Sequence, residues 1–148
     1  MITIKIKKEH PDVSTIPTRA FSSDAGLDMY AYINNPEGIK IHPGETIMIG
    51  TGISMSIPTG YFGGIFARSG LSTKEGLRPA NCVGVVDAGY RNEIMVALHN
   101  DSNKIRTVIN GQRIAQMIIL PVLDVNLTEV DKLDETDRGA NGFGSSGT

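Results

Sequence analysis

Three short stretches bring together the acids, guanidinium groups and small flexible residues that phosphate chemistry needs. "VGVVDAGYRNE", residues 83–93, is an apolar run suited to a buried strand that ends on Asp87, followed by Ala-Gly and the aromatic Tyr90. A carboxylate mounted at a rigid strand end is well placed to accept a proton. In "ARSGLS", residues 67–72, Arg68, the Ser69 hydroxyl and the amides of Ser69 and Gly70 open the one plausible helical turn, where anions are favoured. Read more plainly, Ser69 is a helix cap and Arg68 a surface charge. "SSDAGLDMYA", residues 22–31, sets Asp24 and Asp28 on either side of Gly26 in a turn entering a strand. Such acids commonly bond their own backbone, yet one carboxylate is also enough to hold a hydrated magnesium ion when a substrate's phosphates supply the other ligands.

Two further stretches add partners. In "NGQRIAQMII", residues 110–119, strict alternation puts Gln116 on the face of an apolar neighbour, where its amide needs a partner such as a ligand oxygen. The last eleven residues, "RGANGFGSSGT", hold four glycines and three hydroxyl residues with no alternation to seat a strand. By composition alone they read as a frayed end, expected to be mobile. Arg138 nevertheless supplies a bidentate charge, the glycine amides and the hydroxyls of Ser145 and Ser146 suit phosphate oxygens, and Phe143 offers a flat face to a base. That combination suits a lid over a nucleotide.

The elements that must position these groups are short strands. "ITIKI", "ETIMIGTGISMSIP", "YFGGIFA", "EIMVALHN", "IRTVI" and "RIAQMIILPVLDV" are β-rich or apolar, and Gly, Pro, Asn and Asp punctuate them. The best helical candidate is a turn or two around "SGLSTKEG". With 148 residues, 17 glycines and 7 prolines, the expectation is one all-β domain, a sandwich, jelly roll or small barrel with at most one short helix. Residues 1–137 form its core and residues 138–148 a flexible arm. A net charge of −2 provides no overall field for nucleic acid or an anionic membrane. The apolar stretches are too short to span a bilayer. A single cysteine, Cys82, excludes an internal disulfide and reads as a small buried thiol, and with no signal-like N-terminus the chain is expected to be cytoplasmic. His10, His42 and His99 lack metal-ligand spacing, which argues against zinc.

In order along the chain, "DAGLDMYA", "RSGLS", "NCVGVVDAGYRNE", "GQRIAQ" and "RGANGFGSSG" resemble the five motifs of the trimeric dUTPases, from Asp24 to Gly147. The resemblance implies a jelly-roll-like fold, a homotrimer with active sites shared between subunits, and Mg²⁺-assisted hydrolysis of dUTP to dUMP and pyrophosphate, which limits uracil in DNA and supplies dUMP for thymidylate synthesis. It implies that Asp87 activates the attacking water and that Tyr90 packs under the deoxyribose, leaving no room for a 2′-hydroxyl. Asn81 with the backbone of Gly84 and Val86 matches the hairpin that reads uracil. Arg68, Ser69 and Gly70 match phosphate binders, Gln116 the α-phosphate contact, and Asp28 the carboxylate reached through magnesium-bound water. Arg138, Gly144, Ser145 and Ser146 match the γ-phosphate arm, with Phe143 stacked on the base.

The chain departs from the family pattern at Ala67, where Pro is common, and at Asn92 and Asn141, where Gly is frequent. Asn tolerates left-handed backbone better than most residues, so neither Asn removes the needed turn. Three other functions fit parts of the pattern: a dCTP deaminase of the same superfamily, a dUTP sensor that orders its tail to dock on a regulatory protein, and a structural β-sandwich. The complete Gly-rich fifth motif and the Asp87–Tyr90 spacing argue against the deaminase.

Overall fold

Alternating apolar residues cut by turn formers divide the chain into eleven strands in the computed structural model, which describes residues 2–137 and residue 139. They are β1 (Lys5–Lys8), β2 (Leu27–Tyr30), β3 (Ile39–Ile41), β4 (Thr46–Gly50), β5 (Ile53–Ser56), β6 (Tyr61–Phe66), β7 (Leu77–Pro79), β8 (Gly84–Val86), β9 (Met95–Asn100), β10 (Arg106–Val108) and β11 (Arg113–Pro121). One wide helical turn, Leu71–Glu75, lies in the stretch expected to be helical and stops at Gly76, whose φ of 71° is the left-handed conformation glycine adopts without strain. The apolar run 45–58 becomes two strands, β4 and β5, because Gly52 turns between them at φ 64°.

Every ladder is antiparallel. A four-stranded sheet in the order β2-β11-β6-β8 carries most of the expected site residues, and a three-stranded sheet, β4-β9-β7, packs with it. Two ribbons, β1-β5 and β3-β10, complete the jelly-roll-like all-β architecture. Met29, Ile41, Ile49, Leu98, Ile114 and Met117 are wholly buried in one continuous core. Strict alternation fails at the start of β11. The register slips between Arg113 and Ala115, so Ile114 is an extra residue in the strand, and Ile114 and Ala115 are both buried.

The alternation of β9 sends Val96, Leu98 and Asn100 inward. A buried amide at such a position must satisfy every polar atom, and Asn100 does. Its Nδ2 donates to the carbonyls of Ile41 (2.9 Å) and Lys104 (2.8 Å), while its Oδ1 accepts from the Ser102 amide (3.0 Å) and hydroxyl (2.7 Å). This one side chain ties β9 to β3 and shapes the loop to β10. Asn100→Ala is therefore expected to cost about 2–5 kcal/mol, since it leaves several buried groups unpaired. Urea unfolding of the variant measures that loss as a lowered midpoint.

Candidate active site

The turn into β2 and the segment leaving β6 meet across β11, and between them lies a cleft of about 490 Å³. Asp24, Gly26, Asp28, Arg68, Ser69, Gly70 and Gln116 line it. Three of the five sequence stretches, distant along the chain, thus converge. Asp24 does ordinary turn work, its carboxylate accepting the Phe21 amide at 2.9 Å. Asp28 does more.

Its side chain is 13% exposed and is held between two guanidinium groups. Arg68 Nε donates to Oδ1 at 2.7 Å and Arg113 Nη1 donates to Oδ2 at 3.1 Å. Charge-assisted bonds of this kind are worth roughly 1.5–3 kcal/mol each. Asp28 is thus outweighed by its two guanidinium partners, and with Asp24 on the same cleft two acids stand against two bases. Because Arg68 spends its Nε on Asp28, its two terminal nitrogens remain for an anion in the cleft. Arg113 carried no role in the sequence reading, and no local pattern points to it, since its partner is 85 residues away.

Gln116 is half-buried on β11, opposite both Phe66 and Asp28. The partner its amide required is the Ala67 carbonyl, which accepts from Nε2 at 2.9 Å. The other end of that amide, Oε1, lies 2.3 Å from where a Cβ on Gly26 would sit, so Gly26 makes room for Gln116.

Asp87 and Tyr90 lie elsewhere. In the β6–β8 ladder Gly63 pairs with Val86, so Asp87, one residue on, emerges beside Phe62 near the start of β6, whereas Arg68 follows its end. From Asp87 to Gln116 the path runs four residues along β6 and two strand spacings across, about 15 Å. Asp87 is exposed. Tyr90, 40% exposed, lines a separate cleft of about 250 Å³ with Met48, Val85, Val86, Ile94 and Met95. The Tyr90 amide donates to the Asp87 carbonyl at 3.0 Å, closing the turn that joins the two residues.

The hairpin before β8 is built around Cys82, which has a left-handed φ of 55° and is exposed, not buried as its type suggested. The turn geometry overrides the usual preference of a thiol for the core. The Asn81 amide folds against Gly84, where a Cβ would stand 3.1 Å from Nδ2. At the base of the hairpin Arg78 grips Asp101 through Nε at 2.6 Å and Nη2 at 3.1 Å, and these bonds raise its pKa above the usual guanidinium value. Arg138, Phe143, Gly144, Ser145 and Ser146, expected on the arm, lie outside the described residues.

Among the described residues no group of three His, Cys, Asp or Glu side chains is spaced to enclose a metal ion. Two carboxylates, Asp24 and Asp28, on a cleft that also holds Arg68 suit a hydrated Mg²⁺ that arrives with phosphates, not a resident ion in a protein cage. No described helix is long and apolar enough to cross a membrane.

A family model described as dUTPase matches residues 12–147. The chain is 43% identical over 145 residues to the deoxyuridine 5′-triphosphate nucleotidohydrolase of Nocardia farcinica, covering 97% of this chain and 85% of that one. Its fold is similar to that of a Staphylococcus bacteriophage 80alpha dUTPase variant bound to dUpNHpp, with a TM-score of 0.86, 27% identity and full coverage of both chains. It is also similar to a variant dUTPase from phage phi11 of S. aureus in which a structural Mg(II) ion is coordinated (TM-score 0.74, 25% identity, 88% of this chain and 98% of that one).

The packing of Gly26 on Gln116 predicts a separation of stability from binding. In Gly26→Ala the new methyl chiefly displaces the flexible end of Gln116, and its 3.2 Å approach to the Gln116 Cβ asks only a small shift there, so thermal stability should fall modestly. The amide loses its hold on Ala67, and titration calorimetry should show a nucleoside triphosphate binding at least about tenfold more weakly, the loss of about one charge-assisted contact.

Proposed function

The chain belongs to the dUTPase family, whose members hydrolyse dUTP to dUMP, and we propose that it does so at sites each built from two copies of itself. The observation that carries this reading is the distance between Asp87 and Gln116. A general base acts within about 3 Å of its proton, or through one water. One α-phosphate cannot meet both groups across about 15 Å. A second copy bringing its β8 loop to the cleft removes the conflict, and closed trimeric symmetry repeats the arrangement three times.

The surface supports association. Leu123, Val125 and Leu127 follow β11 at alternating positions and are 81%, 76% and 91% exposed. The segment forms no strand here, and exposed apolar alternation of this kind suits an extended stretch that pairs with another copy. Acidic Asp124, Glu129 and Asp131 accompany it, and β1, whose described ladder is to β5 alone, presents Lys5, Lys7 and the part-exposed Ile6. Apolar pattern and charge are complementary.

Within such a site the Asp87 carboxylate accepts the proton of the water that attacks the α-phosphorus, and the α–β bridging oxygen leaves with the pyrophosphate. The terminal nitrogens of Arg68, with Ser69 and Gly70, take phosphate oxygens, and Gln116 orients the α-phosphate. Asp28 is the residue that would hold a phosphate-bound, hydrated Mg²⁺, which when present neutralises charge on the leaving group. Arg113 stays on Asp28 and keeps the carboxylate oriented. The hairpin of Asn81, Gly84 and Val86 offers backbone groups to the uracil edge, and the Tyr90 ring fills the space a 2′-hydroxyl would need. Residues 138–148 close over the nucleotide, with Arg138, Gly144, Ser145 and Ser146 on the γ-phosphate and Phe143 on the base. This is positioning and charge neutralisation with little covalent work for the protein.

Mixing two inactive variants tests the shared site. Asp87→Asn, nearly isosteric but unable to take the proton, should reduce turnover by roughly 10² or more. Arg68→Ala should be similarly inactive. Unfolded together and refolded as mixed assemblies, the two should recover about a quarter of wild-type pyrophosphate release, because a random neighbour pair holds both intact groups in about one site of four. No recovery would place the whole site in one chain and refute the reading.

A further inference from the structure

Residues 87–93 form the loop between β8 and β9 that carries both Asp87 and Tyr90, and most of its hydrogen bonds are internal. Tyr90 N–H donates to the Asp87 carbonyl at 3.0 Å, Arg91 Nη1 donates to the Tyr90 carbonyl at 2.9 Å, and the Tyr90 hydroxyl donates to the Glu93 carbonyl at 2.8 Å. Among the described residues, the one side-chain hydrogen bond from this loop to the rest of the fold is that of Glu93. Its carboxylate Oε1 accepts the Gly52 amide at 2.6 Å, in the turn between β4 and β5.

That turn is shaped around the carboxylate. A Cβ on Gly50 would lie 2.5 Å from Glu93 Oε1, so any side chain there would expel it. Gly52 takes φ 64°, and this left-handed turn accompanies an amide aimed at Glu93. The next residue is fixed as well: Ile94 N–H donates to the Ile53 carbonyl at 2.8 Å, and the buried Thr51 hydroxyl donates to the Ile94 carbonyl at 2.7 Å. The carbonyl that receives the Tyr90 hydroxyl therefore belongs to a residue anchored by its own side chain. Tyr90 is 40% exposed, and among the described residues this bond to the Glu93 carbonyl is the one hydrogen bond its side chain makes.

We propose that Glu93 is a positioning residue for sugar discrimination, holding the Tyr90 ring against the deoxyribose through its carboxylate bond to Gly52. The inference rests on the reading of Tyr90 given above. Without the anchor the ring can tilt, and a tilted ring leaves space for a 2′-hydroxyl. A hydrogen-bond acceptor of the right length, not the charge itself, is what the turn requires.

The test compares kcat/KM for dUTP and UTP in Glu93→Ala, Glu93→Asp, Glu93→Gln and Tyr90→Ala, with Ile41→Val as a core variant that lowers stability away from the loop. Glu93→Ala and Glu93→Asp should each lower the dUTP-to-UTP ratio, Glu93→Ala by roughly tenfold, the scale of one lost oriented contact. Glu93→Gln, whose amide oxygen still accepts from Gly52, should stay within about twofold of wild type, and Ile41→Val should leave the ratio unchanged. Glu93→Asp keeps the test decisive if Glu93→Ala does not fold. A wild-type ratio in the Ala and Asp variants alongside a lowered one in Tyr90→Ala overturns the role of Glu93 alone, as does a loss in Glu93→Gln equal to that in Glu93→Ala. An unchanged ratio in Tyr90→Ala removes the Tyr90 reading and this inference with it.

Discussion

The antiparallel register of β6 is the constraint on which the rest depends. β11 on one side of it brings Gln116 opposite Phe66, and β8 on the other brings Val86 opposite Gly63. The phosphate cluster and the candidate base are consequently fastened to opposite ends of one six-residue strand. A one-residue slip in either ladder would turn every inward side chain outward, so the burial of Ile65, Val86 and Met117 holds the separation firmly. Core packing, and not any property of the site, therefore fixes the separation from which the proposed sharing of one site between two copies is argued.

Close approach around β6 serves the same end. A Cβ on Gly63 would stand 3.1 Å from Ile57 Cδ1 and from the Met117 thioether, and one on Gly64 would stand 2.7 Å from the Phe66 ring. These two glycines let neighbouring side chains cross the strand. The cleft is then assembled at its end by long-range ion pairing, because Asp28 arrives from β2 and its two oxygens accept one bond each from Arg68 and Arg113. Removing a carboxylate that is 13% exposed from between two guanidinium groups would leave like charges facing each other.

Much of this was legible in the residues. Period-two alternation marks β9, apolar or aromatic runs bounded by turn formers mark β4 and β6, and the stretch around Leu71 turns out helical. The ordered motifs identify the dUTPase family, and Asp24, Asp28, Arg68 and Gln116 do share one cleft. What was hidden is non-local. The three-residue strands β3 and β7 carry too little pattern to stand out, and their existence depends on β10 and β9 to pair with. The bulge at Ile114 overrides the alternation that the sequence suggests, since burial of both Ile114 and Ala115 outweighs a lost ladder bond. Arg113 on Asp28 and Glu93 on Gly52 link residues 85 and 41 positions apart, which no local spacing reveals. The exposure of Cys82 follows from a turn whose left-handed φ its type does not announce.

The central claim, that one site draws on two copies of the chain, is tested most directly by a crystal structure of the full-length protein with Mg²⁺ and a non-hydrolysable dUTP analogue. The account predicts the α-phosphate between Gln116 and Arg68 of one copy and Asp87 of another, with Tyr90 of that second copy under the sugar. An α-phosphate in contact with Gln116 and Asp87 of the same copy would contradict it.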